Sequence, residues 1–344
     1  MDVNLFDFYL PEELIAQKPS ELRQNARLLV LNKDEKTIVD EHFYDITKYF
    51  NKGDVLVLNN TKVIPARLRG VKVPTGAHIE TILLKALPDD HYEVLIGNAK
   101  AFKVGNIVSF GDGLLLMECI EKKDEGIHIV KFKYDGIFLE ILDKVGTMPL
   151  PPYIKDDSAK YARYQTVFAK IPGSAAAPTA GFHFTTEILD ILRNIGVEIL
   201  EVTLHIGLGT FKPVSVQDTK DHVMHYETYE ICEEVATKLN VALKEKRRII
   251  SVGTTATRTL EANYLKYNKI VATNEATNLF ITPGSKFNVI SALITNFHLP
   301  KSTLIMLVSA FADREYILKA YNHAVKEKYR FFSFGDVMYI YGQN

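Results

Sequence analysis

The stretch from about Ile64 to Asp135 limits the fold of this chain more than any other. Short alternating or β-branched runs follow one another there: "HIETILLKAL", "HYEVLIG", "NIVSF", "LLLMECI" and "IHIVKFKY". Gly, Asp, Asn and Pro turns separate them. Several short strands at this spacing predict a small antiparallel barrel.

The flanks read differently. "PEELIAQ" predicts a short helix opened by Pro11. "RLLVLNKDEKTIVDEHF" reads as a hairpin, and "DVLVLNN", 54–60, as a continuous apolar strand of the buried kind. After the β-rich stretch, "IFLEILDKVG" reads as a helix closed by Gly146, and "TMPLPPYI" as a stiff connector. From about Tyr164 helices and strands alternate. "TTEILDILRNIG" is a predicted helix, "VEILEVTLHIG" a strand, "CEEVATKLNVALKEKR" a helix, "RIISVG" a strand, "TTATRTLEANYL" a helix and "NLFIT" a strand. "STLIMLVSAFA", an amphipathic helix in "REYILKAYNHAVKEK" and a last strand in "DVMYIY" complete the series. This rhythm predicts layered α/β architecture. At 344 residues the chain is longer than one core usually serves. The expected organisation is an α/β domain of residues 1–63 and 150–344, interrupted by an inserted small antiparallel β-barrel domain of residues 64–149.

Composition narrows the function classes. Hydrophobic residues make up 47% and charged residues 24%, as in ordinary folded proteins, so disorder and fibres are excluded. Cys119 and Cys232 lie far apart without metal-ligand spacing, which predicts two thiols in a reducing compartment. The first residues carry acids and no basic segment followed by an apolar run, unlike a signal peptide. The longest apolar run, 302–312, is too short for a membrane span. A soluble, cytoplasmic protein is therefore expected. The net charge of −1 does not favour a general nucleic-acid binder, although local patches suffice for one. "TKVIPARLRGVKV" supplies Lys62, Arg67, Arg69 and Lys72 without an acid, and "KEKRR" is a second cluster. Either alone reads most simply as a solvated face.

Five stretches join small or hydroxylic residues to a polar group at strand-to-helix or strand-to-loop junctions, where α/β sheets bind ligands. "SAAAPTAGFHFT" sets His183 between Phe182 and Phe184, after residues small enough for close approach. A histidine so flanked is more often a hydrogen-bonded core residue than a catalyst. "LHIGLGTF" follows a strand with Gly207 and Gly209, and sets His205 at the strand's end. It is only G-x-G, without the third glycine of a dinucleotide loop. "DHVMHYE" gathers Asp221, His222, His225 and Glu227, with a histidine spacing that would put both rings on one side of a helix. H-E-x-x-H is absent, so acid–base or substrate contacts are expected there rather than metal. "SVGTTATRTLE" opens a helix whose free N–H groups can bind a carboxylate or phosphate; Arg258 and Glu261 stand one turn apart as an expected surface ion pair. "LITNFHLPKSTLIML" places Asn296 and His298 ahead of a very apolar helix. The residues alone indicate a soluble, nucleotide-handling α/β enzyme with an inserted β domain.

Taken in order, "NNTKVIPARL", "MPLPPYI", "YQTVFAK", "AAPTAGFHF", "TLHIGLGTF", "DHVMHYE", "GTTATRTLE", "ITNFHLPKSTLIMLVSAFA" and "EKYRFFSFGDVMYI" resemble the S-adenosylmethionine:tRNA ribosyltransferase-isomerases of queuosine biosynthesis. The likeness runs along almost the whole chain in the same order. It departs at Phe182, where the family usually has Leu, and at Tyr226, where Ser is common. The resemblance implies an α/β domain carrying a β-barrel. It also implies transfer and rearrangement of the ribosyl part of S-adenosylmethionine onto 7-aminomethyl-7-deazaguanine at the wobble position of a tRNA, giving epoxyqueuosine. S-adenosylmethionine is then a consumed co-substrate, with no permanent cofactor and no metal, and the chain is expected to be a monomer.

Set against that reaction, His183, His205, His225 and Glu227 are the candidate acids and bases. The N–H groups of Gly253, Thr254 and Thr255, with Arg258, would take the methionine carboxylate. Gly207, Gly209 and Thr210 would let a nucleoside lie against the backbone. Phe182, Phe184 and Phe211 would stack on a base, and Asn296 and His298 would touch substrate. Arg67, Arg69, Lys72 and Arg330 would hold the tRNA. Two other enzyme readings compete: a base-exchanging tRNA transglycosylase, which would need a carboxylate nucleophile, and a methyltransferase, whose glycine-rich loop does not follow the first strand. A non-catalytic tRNA-binding module is the alternative from another class.

Overall fold

The computed structural model describes residues 1–151, 153–154, 163–207, 214 and 216–342. Along the chain come β1 (Arg27–Asn32), β2 (Thr37–His42), β3 (Val55–Asn59) and the short β4 (Thr61–Val63). The predicted barrel follows as β5 (Arg67–Val73), β6 (His78–Ala86), β7 (His91–Ile96), β8 (Ile107–Phe110), β9 (Leu115–Lys122) and β10 (Ile127–Lys133). Helix α1 (Phe138–Val145), β11 (Gly146–Thr147) and β12 (Ile171–Ser174) lead back to α2 (Thr186–Ile195) and β13 (Glu198–Leu204). Then come β14 (Glu227–Ile231), α3 (Glu233–Lys244), β15 (Ile249–Val252), α4 (Gly253–Tyr267), β16 (Thr273–Thr277) and β17 (Ala292–Asn296). Helices α5 (Thr303–Ala312) and α6 (Arg314–Lys326) precede β18 (Val337–Tyr341).

The large sheet has nine strands in the order β16-β14-β13-β3-β15-β17-β18-β1-β2. Its centre, β13-β3-β15-β17, is parallel, so these four strands end at one edge. Alternation along the strands feeds two cores. Val55 and Val57 of β3 and Leu29 and Leu31 of β1 join the cluster under α3 to α6. Leu56 and Leu58, with Leu28 and Val30, join the cluster under α2. The sheet is therefore the middle of three layers, and its central strands read as apolar runs because both faces are buried.

The barrel closes in the order β5-β6-β7-β10-β9-β8, with β8 returning to β5. Val71 opposes Ser109 and Val73 opposes Ile107 across that seam. Gly70 is required there: a Cβ would lie 2.5 Å from the Ser109 carbonyl oxygen and the Phe110 ring. The barrel has its own core, with Leu68, Val94, Val108, Met117 and Val130 inside and Leu142 of α1 packed on it.

Two local expectations are corrected. "NLFIT" forms no strand; the sheet edge is made by the polar "TNEAT" of β16, which pairs with β14. "PEELIAQ" tightens only to a 3-10 turn at Glu12–Leu14. Among the described residues no helix is long and apolar enough to cross a membrane.

Candidate functional site

The carboxyl ends of β3, β13, β15 and β17 meet at the N-terminus of α4. Asn59, at the end of β3, ties this junction together. Its Nδ2 donates to the Leu204 carbonyl at 3.0 Å and to Thr255 Oγ1 at 3.1 Å. Its Oδ1 accepts the N–H groups of Leu204 and Thr61, both at 3.1 Å. One buried amide thus joins the ends of two strands to the first turn of a helix. Helix α4 begins directly at Gly253, whose φ is +84°, and no side chain caps it. The first-turn N–H groups of such a helix carry partial positive charge toward whatever lies before them.

Two clefts share this helix start. The first is lined by Ala177, Pro178, Thr179 and Ala180, by Asn296, Phe297 and His298 after β17, and by Phe332 and Ser333. The second is lined by Gly207, His222, His225 and Glu227, with Arg258 and Phe280. Thr254, Thr255 and Leu304 belong to both. All five stretches singled out in the sequence therefore converge on one edge of the sheet.

The second cleft holds the strongest charges. Glu227 is 5% exposed and forms a buried ion pair with Arg258, also 5% exposed. The Glu227 carboxylate accepts the Gly207 N–H at 3.2 Å. Arg258 Nε donates to the Leu279 carbonyl at 3.1 Å, while its Nη2 is buried without a hydrogen-bond partner among the described residues. An unfilled guanidinium donor beside a helix N-terminus suits an anionic ligand group. The expected Arg258–Glu261 pair is not formed. Glu261 instead accepts backbone N–H groups of Asn288, Val289 and Ile290, and so pins that loop to α4. His222 and His225 do not share a helix face either. The 3-10 turn ends at Asp221, and the chain then runs extended, because β14 draws Glu227 into the sheet. His225 is exposed and His222 half-buried at the cleft. Burial, then the neighbouring charge of His225, lowers the pKa of His222.

His183 does not face the space left by the alanines. It is 4% exposed, packed 5.4 Å from the Phe43 ring and in contact with Asn296 Nδ2 at 3.2 Å through Nε2. Burial pushes its pKa down to about 3, helped by the charges of Arg330 and Arg23. With Asn296 donating, the neutral ring accepts at Nε2 and carries its proton on Nδ1. The small residues do two jobs instead. Ala177 and Ala180 line the first cleft, and Gly181 gives way to Phe168, whose ring would lie 2.6 Å from a Cβ at that position.

His205 also lies off both clefts. Its Nδ1 shares a hydrogen with Thr61 Oγ1 at 2.8 Å, and its ring covers Gly173, where a Cβ would lie 2.8 Å away. Burial lowers its pKa. His298 does line the first cleft, but its Nε2 is engaged by Thr295 Oγ1 at 2.9 Å and burial drives it to about 3. Phe184 is fully buried, edge-on to Phe43 at 4.9 Å, and Phe182 packs between Tyr164 and Phe334, so neither ring lines either cleft. Gly209, Thr210 and Phe211 lie outside the described residues.

The expected tRNA contacts are partly spent. Arg69 and Arg67 both approach Glu80, at 3.1 and 3.8 Å, on the outside of the barrel. Lys72 donates to the Ala101 carbonyl at 3.0 Å. Arg330 is anchored by the Lys18 carbonyl at 3.3 Å and by Ser20 Oγ.

Sequence reasoning passed over Asn59, Thr179 and Phe332. The amide doublet ending the apolar run "DVLVLNN" was a usable signal for Asn59. Thr179 Oγ1 donates to Asn296 Oδ1 at 3.2 Å, which holds the opening segment against β17. Phe332 sits at φ +76°, a strained conformation for a bulky residue, and edges onto Tyr153 at 4.1 Å beside the first cleft. No sequence signal marks that backbone state. Among the described residues no three His, Cys, Asp or Glu side chains are grouped to hold a metal ion.

Comparison with known proteins bears on the chain as a whole. The family described as queuosine biosynthesis protein matches residues 3–340. The crystal structure of an S-adenosylmethionine tRNA ribosyltransferase from Thermotoga maritima is 36% identical in sequence. That match covers 98% of this chain and 99% of that chain, with a TM-score of 0.57. A match from the first strands through the barrel to β18 takes in both sheets and every stretch that meets at α4, and the chain accordingly belongs to the queuosine biosynthesis protein family.

Proposed function

We propose that this protein is an S-adenosylmethionine:tRNA ribosyltransferase-isomerase. It moves the ribosyl part of S-adenosylmethionine to the aminomethyl nitrogen of 7-aminomethyl-7-deazaguanine at the tRNA wobble position and rearranges it to the epoxycyclopentane of epoxyqueuosine. The bond from C5′ to sulfur and the glycosidic bond both break, so methionine and adenine leave. The observation that carries this reading is the meeting of two clefts at the uncapped start of α4, with a buried Arg258 donor unused.

The positive sulfonium acidifies the protons on C5′, and a positioned base takes one. His225 and Glu227 are the groups of the original set that stand on a cleft with this charge pattern. Burial, then the charge of His225, lowers the pKa of His222 beside them, which favours the neutral ring that accepts a proton. The methionine carboxylate takes the N–H groups of Gly253 to Thr255 and Arg258 Nη2. Departing adenine needs a proton, which a protonated histidine of the second cleft returns. The first cleft, walled by Pro178, Thr179, Asn296 and Phe332, receives the deazaguanine. His183 and His205 act as positioning residues, through Asn296 and Thr61. The barrel of residues 64–149 is an inserted domain whose Arg67 and Arg69 meet the tRNA. S-adenosylmethionine is a consumed co-substrate, and the enzyme works as a cytoplasmic monomer.

The test is turnover. Purified protein is mixed with S-adenosylmethionine and tRNA carrying the aminomethyl-deazaguanine, and adenine release is followed with the mass of the modified nucleoside. Adenine with an epoxyqueuosine mass is expected. A methylated nucleoside without adenine, or tight tRNA binding without product, refutes the proposal.

A further inference from the structure

A third, smaller pocket adjoins the first cleft and takes neither S-adenosylmethionine nor the deazaguanine in the chemistry above. Arg23, Arg163, His183, Ser20 and Phe334 line it, and Ser333 belongs to both it and the cleft. Arg330 reaches its rim by donating to Ser20 Oγ. The three guanidinium groups are held mainly by backbone carbonyls. Arg23 Nη1 donates to Phe182 at 3.0 Å and Nη2 to Gln165 at 2.8 Å. Arg163 Nη1 donates to Glu21 at 3.0 Å, and Arg330 Nη1 to Lys18 at 3.3 Å. Among the described residues, only Arg330 has a carboxylate partner, Asp336 at 3.4 Å.

A carbonyl fixes the direction of a guanidinium without cancelling its charge. Each fork has five N–H donors, so each keeps some unused. Burial and the like charge of Arg163 both lower the pKa of Arg23. The fold therefore brings like charges together with Asp336 as their one carboxylate partner among the described residues, and an anion with several acceptor oxygens relieves the repulsion. Neutral His183 and the Phe182 and Phe334 rings complete the wall and add no negative charge.

We infer that this pocket binds a phosphodiester of the nucleic-acid substrate, beside the nucleotide that enters the first cleft. This rests on the proposed function in one respect, that the substrate is a tRNA. The test measures tRNA affinity by fluorescence anisotropy over a series of salt concentrations, for the wild type, Arg163→Ala and Arg163→Lys. Arg163 is chosen because Arg23 and its two carbonyl anchors stay in place without it. Arg163→Ala is expected to bind tRNA about tenfold more weakly, the worth of one charge-assisted hydrogen bond. Its plot of log affinity against log salt should be shallower by about 1. Arg163→Lys should recover most of that slope, and S-adenosylmethionine should raise the melting temperature of all three proteins equally. Unchanged tRNA affinity and slope in Arg163→Ala overturn the inference. So does a joint loss of tRNA binding, S-adenosylmethionine binding and melting temperature, which would mark a structural residue. Competition by inorganic phosphate with no change in the tRNA slope also overturns it, because the pocket then takes a free anion. Adenine release by the wild type decides the proposed function separately, so failure of either is recognised.

Discussion

Replacing His183 by Gln tests the reading of that residue as a neutral, buried support. The Gln side chain keeps an acceptor near the Nε2 position, facing Asn296 Nδ2, and cannot titrate. In the wild type His183 and His298 are both buried and both pushed to about 3 from an ordinary value of 6.5. The sign follows from the unfolded chain. Below pH 6.5 the unfolded histidines take up protons and the folded ones do not, so stability falls as pH falls, down to about pH 3. Each unit of pH costs about 1.4 kcal/mol per histidine. Between pH 7 and pH 5 each therefore removes about 2 kcal/mol, and the pair about 4 kcal/mol, against a usual total of about 5–15 kcal/mol. Urea titrations of wild type and His183→Gln at pH 7 and pH 5 measure this. The variant should lose about 2 kcal/mol less than the wild type on acidification. An equal loss refutes burial as the cause of the shift. An acid limb of the turnover profile that moves in the variant would return His183 to catalysis.

Three further outcomes are expected. Gly253→Ala forces a left-handed conformation on an L residue, with Ala180 Cβ 3.5 Å from the new atom; melting should show about 1–2 kcal/mol of lost stability, and calorimetry a weaker S-adenosylmethionine affinity. Arg258→Lys keeps a charge but loses the fork, so S-adenosylmethionine affinity should fall about tenfold or more by calorimetry; unchanged affinity would remove Arg258 from the carboxylate site. Asn59→Ala leaves the Leu204 and Thr61 N–H groups without their acceptor, and chemical denaturation should register about 2–4 kcal/mol of lost stability.

Much of the fold was legible because its signals are local. In the barrel, alternation with period two is a property of neighbouring residues, and the inward Leu115, Met117 and Cys119 follow it. The start of α4 was legible for the same reason: an apolar strand ends at a glycine and hydroxyl residues begin a helix. "NLFIT" was misread because its apolar residues serve the core and the second cleft from a loop, with Leu279 and Phe280 as examples. The true strand there, "TNEAT", is polar because an edge strand is held by hydrogen bonds to its partner more than by burial.

From the sequence alone one could name the chemistry that had to meet: small residues before His183, two histidines ahead of β14 and the glutamate that opens it, and hydroxyls opening α4. Tertiary structure alone decided which of these groups meet each other. His183 turns from the cleft because Phe43 and Asn296, the latter 113 positions away, enclose it. Arg258 of α4 pairs with Glu227 of β14, not with Glu261 one turn on. Arg23 and Arg163 share one pocket, with Arg330 at its rim on Ser20, although no motif joins them. The physical reason is one of range. Strand alternation, helix starts and turns arise from neighbours in the chain. Burial, charge pairing and pKa depend on groups that only the closed fold brings within a few ångströms.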